Sequence, residues 1–236
     1  MKMKQSVTKP NLGRRRFLTR GFAGTLALSA INLKNVVFSD TYTVTPNETE
    51  GPYWVDEKLN RSDIRTDPTT GITQPGLPIL LSVTVAHLVN STTITPVSGA
   101  LVDLWQCNAL GVYSDEAVQN TLGRKFLRGY QVTNAHGSTN FTTIYPGWYQ
   151  GRTTHIHARV RIFHGSSLTY NNTTQFFFDD AVTSYVYRHA APYNRRPVKD
   201  TPNASDMVYA NGGSHLLLKL AASGSHAVAS FTIILS

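Results

Sequence analysis

The chain has 236 residues, 41% of them hydrophobic and 15% charged, which is the profile of an ordinary folded protein with room for one sizeable domain. Its formal charge of +8 comes from the first 39 residues: eight of the 22 basic residues lie there without an Asp or Glu, and the other 14 match the 14 acidic residues that follow. Nucleic-acid binding therefore has no excess charge to support it, and the single cysteine, Cys107, excludes an intramolecular disulfide.

Residues 1–39 read as an export signal and leader. The stretch RRRFL from Arg14 to Leu18 resembles a twin-arginine signal, and the apolar run 21–33 behind it is short for a membrane span. The expectation is export to the periplasm or the exterior, with no stable membrane span in the mature chain; an ordinary Sec signal is the alternative. Residues 40–236 read as one domain. Short runs rich in Val, Ile, Thr, Phe and Tyr, punctuated by Gly, Pro, Asn and Asp, predict strands at 79–88, 100–106, 126–133, 138–144, 155–163, 173–178 and 228–235. The segment 134–137 between two of these reads as a hairpin turn, and 181–189 as a short helix. No long helical period follows the leader. The pattern predicts an all-β protein, a β-sandwich or barrel-like core, with long loops at 48–76 and 190–213 of the kind that often build a site.

The chemistry gathers in YPGWYQGRTTHIHARV, residues 145–160. His155 and His157 are two apart on a predicted strand, so both imidazoles project from one face and can grip one metal ion. Such a pair alone is a weak signal. Arg152 sits three residues upstream, a cation that is costly beside metal-binding histidines unless an anion arrives to balance it. Tyr149 follows the Pro146-Gly147 bend, and Gly151 lets the chain fold back so that its phenol reaches the same centre. A further tyrosine, Tyr113, lies just past a predicted strand and the Gly111 turn.

Together with ETEGPYW, WQCNALGVYSD, FLRGYQVT and TTQFFFDDA, that stretch resembles, in order, the intradiol ring-cleavage dioxygenases, and their shorter, exported branch most of all. The resemblance runs from about Thr45 to Tyr193. It implies a transthyretin-like β-sandwich and a non-haem Fe(III) held by two tyrosinates and two histidines, which at the matching positions are Tyr113, Tyr149, His155 and His157. It implies that a small aromatic diol and O2 are the reactants, with ring opening between the two hydroxyls to a cis,cis-muconate-type product. Tyr149 would leave the metal as substrate binds and accept a proton. Arg152 would stabilise negative charge on the substrate, and Gln175 would line the same pocket. Phenolates are hard, strongly donating anions and favour ferric iron over zinc or copper(I). Many relatives have Arg-Pro-Ala where this chain has Arg152-Thr153-Thr154, so the approach of Arg152 is less rigidly fixed.

Other residues take structural readings. Cys107 reads as a buried inert thiol. Asp179 and Asp180 read as turn and cap residues, and His87, His136, His164, His189, His215 and His226 as structural or solvated. Tyr53 and Trp54 line the substrate mouth or pack an N-terminal arm, while Trp105 and Trp148 read mostly as core, with Trp148 close to substrate as the alternative. Two rival functions stand beside the dioxygenase: a non-catalytic transthyretin-like binding module or inactive relative, and a zinc or copper hydrolase or oxidase, which would need a third ligand that the strand does not supply. Which catechol is used, and whether the chain forms a homo-oligomer, are left open.

Overall fold

The computed structural model describes residues 41–236; the twin-arginine motif, the apolar run and the 39/40 boundary lie outside the described residues. The strands, in chain order, are β1 (Pro78–Asn90), β2 (Thr93–Pro96), β3 (Leu101–Trp105), β4 (Arg128–Val132), β5 (Ser138–Ile144), β6 (His155–His164), β7 (Ser167–Phe177), β8 (Ala221–Ser223) and β9 (His226–Leu235); one helix, α1 (Asp180–His189), follows β7. They form two sheets, as the all-β reading expects. In the first, the order is β2-β1-β9-β8, and β5 joins β2 along the same edge of β1. β1 is long enough to pair with β5 through residues 78–84 and with β2 through 86–90, and it runs parallel to β9 on its other side. The second sheet is antiparallel, in the order β4-β3-β6-β7.

Alternation explains why these sheets stack. On β1, Ile79, Leu81, Val83 and Val85 point into the sandwich with Ala229, Ile233 and Leu235 of β9; opposite them lie Val102 and Leu104 of β3, Ile156, Ala158 and Val160 of β6, and Phe176 of β7. The side chains between those residues face the other way. Asp103, Trp105, His155, His157, Arg161 and Gln175 are all buried, yet they belong to the outer surface of the second sheet, beneath the chain 48–59. A bidentate pair ties β3 to β6 there: Arg161 Nε and Nη2 donate to Asp103 at 2.8 Å each.

One connection differs from its sequence reading. The turn at 134–137 exists, with Gly137 at φ 71° and its N–H donating to Asn134 O at 2.9 Å. It does not close a hairpin, because β4 pairs with β3 and β5 with β1, so the chain crosses from one sheet to the other. Val85 N donates to Gly137 O at 2.8 Å, and that contact captures the turn on β1. Asp179 caps α1 as expected, accepting from Ala181 N and Val182 N. Among the described residues no helix is long and apolar enough to cross a membrane.

Candidate metal centre

β6 opens on His155 and His157, which are 2% and 1% exposed. Their Nε2 atoms lie 3.1 Å apart. Tyr149 Oη is 3.2 Å and Tyr113 Oη 3.4 Å from His155 Nε2. Two phenols and two imidazoles, drawn from three stretches of chain, thus converge around one atom. His155 Nδ1 lies 2.6 Å from Thr153 O, an acceptor that only an N–H can satisfy. The proton therefore sits on Nδ1, and the Nε2 lone pair faces the phenols. His157 Nδ1 has no protein partner. Its ring is held by Trp105, stacked at 4.7 Å and 9°, and by the backbone at Gly51, where a Cβ would lie 3.5 Å from His157 Cε1.

Loop packing delivers the tyrosines. Gly111 has φ 80°, and a Cβ there would collide with Trp148 O, so glycine alone lets the turn before Tyr113 settle against the loop before Tyr149. Tyr53 stacks on Tyr113 at 4.3 Å and meets Tyr149 edge-on at 5.8 Å. Behind them Arg128, 2% exposed, donates from Nε to Ser114 Oγ (2.8 Å), from Nη2 to Ser114 O (2.6 Å) and from Nη1 to Tyr53 O (2.5 Å). One guanidinium fork thereby fixes the backbone beside both Tyr113 and Tyr53.

Electrostatics leave all four groups uncharged in the absence of a cation. Burial, helped by the Arg152 charge, lowers His155 to about 3, and burial with the neighbouring His155 takes His157 well below its ordinary value; both imidazoles are neutral donors. Burial pushes the Tyr113 and Tyr149 phenols up, so they keep their protons unless a bound cation supplies compensating charge. Two hard oxygen donors and two imidazoles fit ferric iron better than zinc or copper(I). Among the described residues no group of three or more His, Cys, Asp or Glu gathers anywhere, this centre included, so a metal held here would need the tyrosines as well as the histidine pair.

Arg152 is anchored on two sides. Its Nη2 donates to Gln175 Oε1 at 2.6 Å and its Nε to Asp206 Oδ2 at 2.8 Å. Gln175 is fully buried and spends its amide N–H on Thr49 O at 2.8 Å, so both of its ends are occupied and it stands behind Arg152. Sequence reasoning missed Asp206. Its only local signal is that of a turn former, since Oδ1 accepts from Val208 N and Tyr209 N. Burial works against the Asp206 carboxylate, but hydrogen bonds from Tyr209 N, Thr153 N and Arg152 outweigh it and hold the carboxyl below its ordinary value. A lowered carboxyl stabilises the fold above the unfolded value, and that contribution is lost as pH falls through the folded one. Thermal melts should therefore show wild type losing stability more steeply than Asp206→Asn below about pH 4.

The remaining sequence readings have definite places. Cys107 is buried, its Sγ is 3.5 Å from Gly147 O, and burial pushes the thiol up to about 12, so it is inert. Trp105 belongs to the site rather than the sandwich core, and Trp54 packs on it at 4.7 Å with Arg159 above, 4.6 Å from the Trp54 ring centre. Trp148 lies beneath the Arg196 guanidinium, 4.7 Å away.

A family model described as dioxygenase matches residues 49–184. A catechol 1,2-dioxygenase from Candida albicans is 33% identical over 108 residues, covering 38% of this chain and 35% of that protein, so the match takes in about a third of that relative's length. Among solved structures, an intradiol ring-cleavage dioxygenase from Tetranychus urticae is similar with a TM-score of 0.68 and 26% identity, over 82% of this chain and 94% of that one. The dioxygenase domain of a dioxygenase carbohydrate-binding protein fusion from Streptomyces sp. SirexAA-E aligns with a TM-score of 0.58 and 27% identity, over 82% and 99%.

Proposed function

We propose, from the premise that this chain belongs to the intradiol ring-cleavage dioxygenase family, that it opens the ring of a catechol-type aromatic between its two hydroxyls, using Fe(III) held by Tyr113, Tyr149, His155 and His157. The observation that carries this reading is the convergence of two phenols and two neutral imidazoles around His155 Nε2, beside an anchored arginine. Held by these four residues, ferric iron would supply Lewis-acidic and redox-active chemistry to a bound catechol.

The chain's own residues do the rest. A catechol must shed two protons to bind as a dianion, and Tyr149 Oη, at the partly exposed edge of the centre, is the protein atom that accepts one of them. Tyr113, fully buried behind Tyr53, stays in place. With Nε and Nη2 of Arg152 committed, Nη1 remains to donate toward negative charge that develops on the substrate oxygen. Both atoms of O2 end in the two new carboxyl groups, so one O2 is consumed per ring.

Two measurements test the reading. The purified, iron-loaded protein should absorb visible light through phenolate-to-iron charge transfer, and a panel of catechols should include one that drives stoichiometric O2 uptake with a ring-opened product. A colourless protein at full iron occupancy sinks the tyrosine assignment. Tyr149→Phe should shift the colour and slow cleavage.

A further inference from the structure

We propose that Asp206 is a positioning residue for Arg152, and that the segment around it, which lies beyond the residues matched by the family model, sets the aim of the guanidinium at the centre. Its effect on turnover rests on the function proposed above; the latch itself does not.

The Asp206 side chain is fully buried and all its contacts are spoken for. Oδ2 accepts from Arg152 Nε (2.8 Å) and from the Thr153 N–H (2.7 Å), while Oδ1 accepts from Val208 N (2.8 Å) and Tyr209 N (2.9 Å). One carboxylate therefore joins the side chain of Arg152, the backbone of the next residue and the start of a 3-10 turn. Thr153 completes the latch. Its Oγ1 donates to Asn203 Oδ1 at 2.5 Å and accepts from Lys199 Nζ at 3.0 Å. Asn203 is in turn tied to Phe178 O through Nδ2 and to Asp180 through its backbone N–H.

This answers how Arg152 is oriented without a proline behind it. A proline at 153 would have no N–H for Asp206 and no hydroxyl for Asn203. The sequence Arg-Thr instead replaces a rigid ring with four hydrogen bonds to a segment about 50 residues downstream. The carboxylate also offsets the Arg152 charge, which would otherwise oppose a metal cation held by the adjacent histidines. Fixing a long arginine side chain costs rotamer entropy, and without Asp206 only the Gln175 contact would remain to hold the guanidinium.

The test uses Arg152→Ala, Asp206→Ala, Asp206→Asn and the Arg152→Ala/Asp206→Ala pair, each checked for melting temperature, iron content and the visible band. Asp206→Ala should lower kcat about 10- to 100-fold, the scale of a misplaced group, with a much smaller change in KM. The double variant should be no slower than Arg152→Ala alone, because Asp206 acts through Arg152. Independently of turnover, phenylglyoxal labelling of Arg152, mapped by mass spectrometry on metal-free protein, should be several-fold faster in Asp206→Ala and intermediate in Asp206→Asn. Unchanged labelling, or losses that multiply in the double variant, would overturn the proposal. If wild type cleaves no catechol, the functional reading falls, and the labelling rates still decide the latch. Should Asp206→Ala fail to fold, Asp206→Asn carries the same comparisons.

Discussion

His155→Ala is expected to abolish ring cleavage and to strip iron and visible colour from the protein while leaving the sandwich folded. His155 Nε2 lies within 3.1–3.4 Å of the other three donors, so its loss opens the middle of the centre rather than its rim. A metal ion contributes several kcal/mol of charge stabilisation, which corresponds to a rate loss on the order of 10³-fold or more once the ion is gone. Metal analysis and the visible spectrum read the first effect, and O2 uptake reads the second. His164→Ala, at the exposed far end of the same strand, should change none of them. If His155→Ala retained full iron and colour, the ligand set would be wrong.

Arg128→Ala should be the most destabilising single change near the site. Arg128 is enclosed, and its removal leaves Tyr53 O, Ser114 O and Ser114 Oγ without their donors. Each orphaned buried group costs about 1–3 kcal/mol, and the total should fall near 3–5 kcal/mol. Urea denaturation measures the loss directly. Arg128→Lys should recover little of it, because an ammonium cannot reach two carbonyls and a hydroxyl in the planar fork geometry. A loss under about 1 kcal/mol would mean that the clamp is not what holds Tyr53 against Tyr113.

The strands were legible because alternation is a local signal. The 138–144 prediction coincides with β5, and 155–163 falls one residue short of β6. The 173–178 prediction found only the end of β7, whose first half, Ser167–Asn172, is largely exposed and has only Leu168 and Tyr170 as apolar positions, too short an alternation to mark a strand. The supposed hairpin at 134–137 shows the limit of local reading: turn chemistry specifies how the chain bends, whereas which sheet receives the next strand depends on β1, some fifty residues away. The site divided in the same way. The histidine pair and Arg152 announce themselves by spacing, and the tyrosines needed the family resemblance. Asp206, Arg128 and Trp105 could not be assigned from sequence, because each acts through partners that only the fold brings near.

The two faces of β6 have a consequence for the fidelity of folding. Ile156, Ala158 and Val160 fill the sandwich while His155 and His157 look outward from the same ten residues. A slip of one residue against β3 or β7 would send imidazoles and guanidinium groups into hydrocarbon and leave isoleucine and valine where the metal donors belong. A sheet misregistered at β6 cannot both close its core and bring His155 and His157 to the two tyrosines. On the proposed ligand set, the centre would therefore proofread strand register, and iron uptake would be confined to molecules that paired these strands correctly.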